Sequence, residues 1–112
     1  YKDTAGGRSE MRPIAEDILA RRPGAVVGYY DPRKSPKPLP PDLAIYLNRA
    51  VETVKPESPG GPRFVARRQG READVLVVLQ REHEKAPLAV PGWRVFATRP
   101  YGKRHWHAME RE

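Results

Sequence analysis

Residues 12–54 read Arg12-Pro-Ile-Ala-Glu-Asp-Ile-Leu-Ala-Arg-Arg-Pro-Gly-Ala-Val-Val-Gly-Tyr-Tyr30, a proline-rich segment from Asp31 to Pro41, and then Asp42-Leu-Ala-Ile-Tyr-Leu-Asn-Arg-Ala-Val-Glu-Thr-Val54. Met11, Ile14, Ala15, Ile18 and Leu19 recur at helical spacing, which predicts an amphipathic helix over 10–22. Ser9 is placed to cap it, Pro13 falls in the first turn where a missing amide costs little, and Pro23-Gly24 stops it just after the cations Arg21 and Arg22 that suit its negative end. Residues 25–30 are apolar without alternation, the signature of a strand covered on both faces in a mostly parallel sheet. Gly28 inside it marks a close approach of another part of the chain. A short second helix from Pro41-Asp42, with Leu43, Tyr46 and Leu47 on one face, leads to a strand at 50–54. The order is helix, strand, helix, strand.

Working outward, Asp74-Val-Leu-Val-Val-Leu79 is a second uniformly apolar run and predicts a strand central and parallel to 25–30, because both need cover on both faces and the intervening chain is long enough for crossovers. Residues 64–66 read as either a short strand or the start of a helix, with helix preferred because Arg67 to Arg71 are good helix formers and Gly70 ending the element in either case, and 80–85 read as a single helical turn. Trp93 to Thr98 and His105 to Met109 flank the turn-rich Arg99-Pro-Tyr-Gly-Lys103, predicting a closing antiparallel hairpin at or near a sheet edge. Strict alternation in it puts Trp93, Val95 and Ala97 on one face and gives Trp106 and Ala108 a shared core-facing side. Thirteen prolines in 112 residues concentrate at Pro23, Pro32 to Pro41 and Pro56 to Pro62, and the two blocks read as loops. The fold class is α/β: a small Rossmann-like, mostly parallel sheet of about five strands with flanking helices and a C-terminal antiparallel hairpin, in one domain.

Twenty-one Lys and Arg against fourteen Asp and Glu give a net charge of +7, but the cations are scattered and interrupted by acids and prolines, which fits a solvated surface better than a nucleic-acid track. With no cysteine, disulfides, thiolate metal sites and cysteine nucleophiles are excluded. No apolar run approaches a membrane span, and the start at Tyr1 has neither an initiator Met nor a signal-peptide core, which reads as an excised piece of a longer protein.

No catalytic set emerges. Ser9, Ser35 and Ser58 stand outside any nucleophile elbow, phosphate-cradling glycine motifs are absent, and Glu82-His83-Glu84-Lys85 lacks nuclease spacing. His105 and His107 share a face of a strand and Glu110 could join them, but two histidines on the solvent face of an edge strand is the simpler reading, so no metal and no cofactor is assigned. The binding candidates are Asp31, Arg33 and Lys34, in the loop leaving the carboxyl end of a central strand where open α/β sheets place ligands, and Tyr101 at the hairpin turn. Asp74 precedes its strand and cannot share that role.

The phrases Arg8-Ser9-x-x-Arg-Pro-Ile-Ala-Glu-Asp-Ile18, Arg22-Pro-Gly-Ala-Val-Val-Gly-Tyr-Tyr30, Leu43-Ala-Ile-Tyr-Leu-Asn-Arg49 and Pro91-Gly-Trp-Arg-Val-Phe96, in that order, resemble the soluble C-terminal domain of polytopic bacterial membrane glycosyltransferases similar to dolichyl-phosphate-mannose mannosyltransferases and the lipid A aminoarabinose transferases. The resemblance implies an accessory domain on the periplasmic or extracytoplasmic face of the inner membrane, partnered with the membrane-embedded part of the same polypeptide and near a polyprenyl-phosphate-linked sugar or its acceptor. The family's catalytic carboxylate lies in the membrane portion and has no counterpart here. The alternative is a stand-alone basic α/β module that binds nucleic acid.

Overall fold

The computed structural model describes residues 11–31, 41–58, 63–80, 90–101 and 104–112. Helix α1 (Arg12–Arg21) leads into strand β1 (Val27–Tyr29), helix α2 (Pro41–Leu47) and strand β2 (Glu52–Thr53). Strands β3 (Lys55–Pro56), β4 (Phe64–Ala66), β5 (Arg71–Glu72), β6 (Val75–Gln80), β7 (Trp93–Tyr101) and β8 (Arg104–Arg111) complete the chain. A five-stranded sheet runs β2-β1-β6-β8-β7 and a three-stranded one β3-β4-β5. Pairings of β1 with β2 and with β6 are parallel, while β8 is antiparallel to both β6 and β7. The main sheet is thus mixed rather than mostly parallel. The two apolar strands are interior and parallel as expected, and directly adjacent, and the antiparallel terminal hairpin lies at an edge.

Because successive side chains alternate between faces, each interior strand feeds two cores. Val27 and Tyr29 of β1, Val75, Val77 and Leu79 of β6, and Trp106 and Ala108 of β8 pack with Ile14, Ala15 and Ile18 of α1 and Leu43 and Leu47 of α2. Leu76 and Val78 of β6, Met109 of β8 and Trp93 of β7 point the other way, onto Phe64, Ala66 and Val54. The crossover from β1 to β2 therefore lies on the helical face and the one from β2 to β6 on the opposite face. Since they run in opposite directions along the sheet, right-handed connections require this arrangement.

The amphipathic stripe of α1 is as read: Met11, Ile14, Ala15 and Ile18 are buried. The helix starts at Arg12 with Met11 in the cap position and no side-chain cap, and Ser9 lies outside the described residues. Its end is closed by Arg22 N donating to Ile18 O at 2.7 Å. Helix α2 stops where Asn48 takes a positive φ of 56°, a conformation asparagine tolerates at a helix C-terminus. Gly28 is the predicted close approach: a Cβ there would stand 2.7 Å from both γ-carbons of Val54.

Several expectations are corrected. Residues 64–66 form strand β4, not a helix, because Phe64 and Ala66 are buried on either side of half-exposed Val65, a period of two. The following residues turn at Arg67–Gly70, with Gly70 at φ 65°, into β5. The strand expected over 50–54 is only Glu52–Thr53. Pro56, read as loop, sits in β3, an edge strand where a missing amide is tolerated. A bulge between Val95 and Ala97 breaks the alternation in β7: Trp93 stays on the small-sheet face while Phe96 and Ala97 turn to the helical core. The turn expected after Gln80 falls on residues 81–89, outside the described residues. Among the described residues no helix is long and apolar enough to cross a membrane.

Candidate functional site at the carboxyl edge of the parallel strands

Strands β2, β1 and β6 run the same way, so their carboxyl ends emerge together. Tyr30 and Asp31 follow β1, with Tyr30 N donating to Val77 O at 3.1 Å. The Tyr30 ring meets Phe64 edge-on at 4.8 Å, and burial, with Asp31 nearby, pushes its hydroxyl pKa up. Asp31 is half-buried and engaged by its surroundings. From the end of β2 outward, Glu52, Thr53, Lys55, Pro56 and Glu57, with Val65 and Arg67 of the small sheet, line an open cavity of about 610 Å³. Two acids and two bases border it.

Gln80, the last residue of β6, lies opposite His105 of β8. His107 Nε2 is 2.5 Å from Gln80 Oε1 and Nδ1 is 2.8 Å from Thr98 Oγ1. With a carbonyl oxygen facing it, Nε2 carries the proton and donates, and Nδ1 accepts from the Thr98 hydroxyl. Burial first, and the charge of His105 second, push the His107 pKa below its ordinary value. The two imidazoles do share a face, 6.5 Å apart and nearly parallel. The strand is nevertheless interior, between β6 and β7, and His107 is only 4% exposed, so the expected edge placement and solvent-facing His107 are corrected, while His105 is exposed as expected.

Glu110 does not join the histidines. It projects from the opposite face of β8 and is buried, with Arg21 Nε 3.0 Å from Oε1 and Nη2 2.5 Å from Oε2. Arg94 donates to Oε2 through Nε and Nη2 at 3.2 and 3.1 Å, and Arg22 Nη1 stands 3.5 Å from Oε1. The Arg21 hydrogen bonds lead the effects that hold the Glu110 carboxyl at about 2, against its ordinary 4.5, with Arg94 contributing and burial opposing. Among the described residues no group of three or more His, Asp or Glu is placed to hold a metal ion.

Other ionisable groups serve the framework. Asp74 accepts from Val26 N at 3.1 Å and from Arg111 Nη2 at 2.6 Å, tying the amino ends of β1 and β6. Arg49 donates to the carbonyls of Ala25, at 2.7 Å, and Pro23, fixing the link from α1 to β1.

Of the predicted binding residues, Asp31 stands at the carboxyl edge as expected. Tyr101 is the last residue of β7, opposite Arg104, and borders residues 102–103, which lie outside the described residues. Arg33 and Lys34 lie outside the described residues. Sequence reading missed the Glu110 node, although alternation from Trp106 and Ala108 puts residue 110 on the core-facing side, where an acid demands a cation. No known protein family, curated protein or solved structure matches this chain.

Proposed function

We propose that this chain is the accessory soluble domain of a membrane glycosyltransferase that uses a polyprenyl-phosphate-linked sugar. It stands at the periplasmic or extracytoplasmic face of a bacterial inner membrane, contacts the membrane-embedded part of the same polypeptide, and does not carry the transfer chemistry. Its fold, in this reading, is a reduced Rossmann-like sheet in which the β3-β4-β5 sheet replaces one helical layer, consistent with crossovers on opposite faces. The observation that carries the proposal is the carboxyl edge: Asp31 follows β1 there, at the place where open α/β sheets bind, and an open cavity borders the neighbouring β2 and the small sheet. Meanwhile Glu110, His107 and Asp74 are committed to framework bonds. The edge thus supports a contact role, with these three ionisable groups engaged elsewhere in the fold.

The test is charge reversal at the cavity rim, Lys55→Glu with Arg67→Glu, in the whole protein, reading sugar transfer from a polyprenyl-phosphate donor alongside the melting temperature of the isolated chain. Transfer falls and melting holds if the edge shapes the contact. Unchanged transfer removes the edge from the mechanism.

The second reading, a nucleic-acid module, draws on the net charge of +7. Against it, Arg12, Arg63, Arg99 and Arg111 each pair with an acid of the chain itself, and Arg21, Arg22 and Arg94 converge on one carboxylate, Glu110, rather than lying along a track. Binding to random duplex DNA should therefore be weak and vanish near physiological salt in an anisotropy titration, whereas submicromolar affinity at about 150 mM salt would favour this alternative.

A further inference from the structure

Three guanidinium groups meet one carboxylate at the C-terminal end of α1. Arg21 alone, donating from Nε and Nη2, supplies the fork that a carboxylate needs. Arg94 crowds both its bonds onto Oε2, already taken by Arg21, and Arg22 is at the limit of hydrogen-bond distance from Oε1. The node holds three positive charges and one negative. Its anchor is buried, Glu110 being 4% exposed, whereas the Arg21, Arg22 and Arg94 side chains are 49%, 39% and 58% exposed. The guanidiniums are thus held at the surface in a fixed cluster with donors to spare.

Among the described residues no second acid pairs with these three guanidiniums. Asp17 is taken by Arg99, with bonds of 2.7 and 2.9 Å. Between α1 and β7 runs an open groove of about 360 Å³ bordered by Arg21, Phe96 and Arg99, and the Arg21 guanidinium lies 5.4 Å from the centre of the Phe96 ring. That stacking fixes its plane and leaves an apolar floor beside the charge.

We propose that Arg21, Arg22 and Arg94, organised by Glu110, form a binding site for a phosphoryl dianion, with the organic part of the ligand lying in the groove over Phe96. A phosphate monoester carries about −1.5 to −2 near neutral pH, which matches the two unbalanced charges. Guanidinium forks fit its oxygens in pairs. The C-terminal end of α1, with its partial negative charge, opposes an anion, so the affinity rests on the arginines. This site is independent of the accessory-domain reading, and its failure would leave that reading standing.

The experiment is an NMR titration of the arginine Nε–H signals of the full chain with inorganic phosphate at constant ionic strength, repeated in Arg22→Gln, Arg94→Gln and Glu110→Gln. Saturable shifts at Arg21, Arg22 and Arg94, absent at Arg63, are expected. Each exposed-arginine variant should weaken binding by roughly tenfold, the value of one charge-assisted bond. Glu110→Gln should tighten it, because the competing carboxylate charge is gone, and phosphate should raise that variant's melting temperature more than the parent's. Co-sedimentation with phosphatidylcholine vesicles containing phosphatidic acid separates the two sources of a phosphoryl group. Arginine-dependent co-sedimentation identifies a lipid headgroup, and phosphate binding without it identifies a soluble ester. Non-saturating shifts, an unchanged affinity in Arg22→Gln and Arg94→Gln, or binding seen only in Glu110→Gln would overturn the proposal, the last because Glu110 would already close the node.

Discussion

The two faces of the five-stranded sheet are covered by different means. On one, α1 and α2 lay local apolar stripes across β1, β6 and β8, with Glu110 and its arginines binding the end of α1 to the hairpin. On the other, strands of two or three residues carry single side chains such as Phe64 and Ala66 onto Leu76, Val78 and Met109. Short strands have little intrinsic stability, so the second layer exists only because Phe64, Trp93 and Val54 are buried together. Burial rests on local periodicity on one face and on contacts distant in sequence on the other.

The largest expected effect comes from breaking the weaker-looking face. Phe64→Ala should destabilise by about 3–5 kcal/mol, at least as much as Ile18→Ala under the helices. Trp93 reports on the small-sheet core and Trp106 on the helical core, so single-tryptophan variants followed by fluorescence in denaturant compare the faces directly. Coincident transitions make them one cooperative unit, while earlier melting at Trp93 would make the small sheet a separate, looser layer.

Next in size is the charged anchor of the helical face. Glu110→Gln should cost about 2 kcal/mol near neutral pH, the scale of charge-assisted hydrogen bonds. Because the folded pKa is depressed from 4.5 to about 2, this stabilisation is complete above the unfolded value and lost as pH falls through that window. Acid unfolding of the parent should therefore steepen between those values, and in the variant that component should disappear. Gly28→Ala is expected to cost about 1–3 kcal/mol by overpacking against Val54, with Val54→Ala recovering part of the loss in the double variant.

The smallest effect is at His107. Burial holds it neutral, so as pH falls below the ordinary 6.5 the unfolded chain takes up a proton before the folded one does, and stability declines. The His107 ring-proton signal in an NMR titration should have its midpoint below 6.5. A midpoint above it would mean that His107 is charged in the fold.

How much of this was legible follows the same division. Met11, Ile14, Ala15 and Ile18 announce α1 through their spacing, and the uniform apolarity of 25–30 and 74–79 announces two adjacent interior strands. Phe64 to Ala66 is too short for a period of two to stand out, and the helix-forming residues after it point the wrong way until tertiary burial decides. The bulge at Val95 to Ala97 leaves no compositional mark, so strict alternation misplaced Ala97. His107 and Glu110 became intelligible once β6 and β7 flanked β8, because their partners Gln80, Thr98, Arg21 and Arg94 come from other elements. The position of Asp31, directly after β1, follows from the strand reading of 25–30 alone.

We propose that this domain binds and shapes while the membrane-embedded part of the polypeptide transfers the sugar. The most direct test incubates the isolated chain with a polyprenyl-phosphate sugar and acceptor and measures transfer, with a chelator control. The account predicts no turnover together with an intact unfolding transition. Turnover above background that survives the chelator would contradict it.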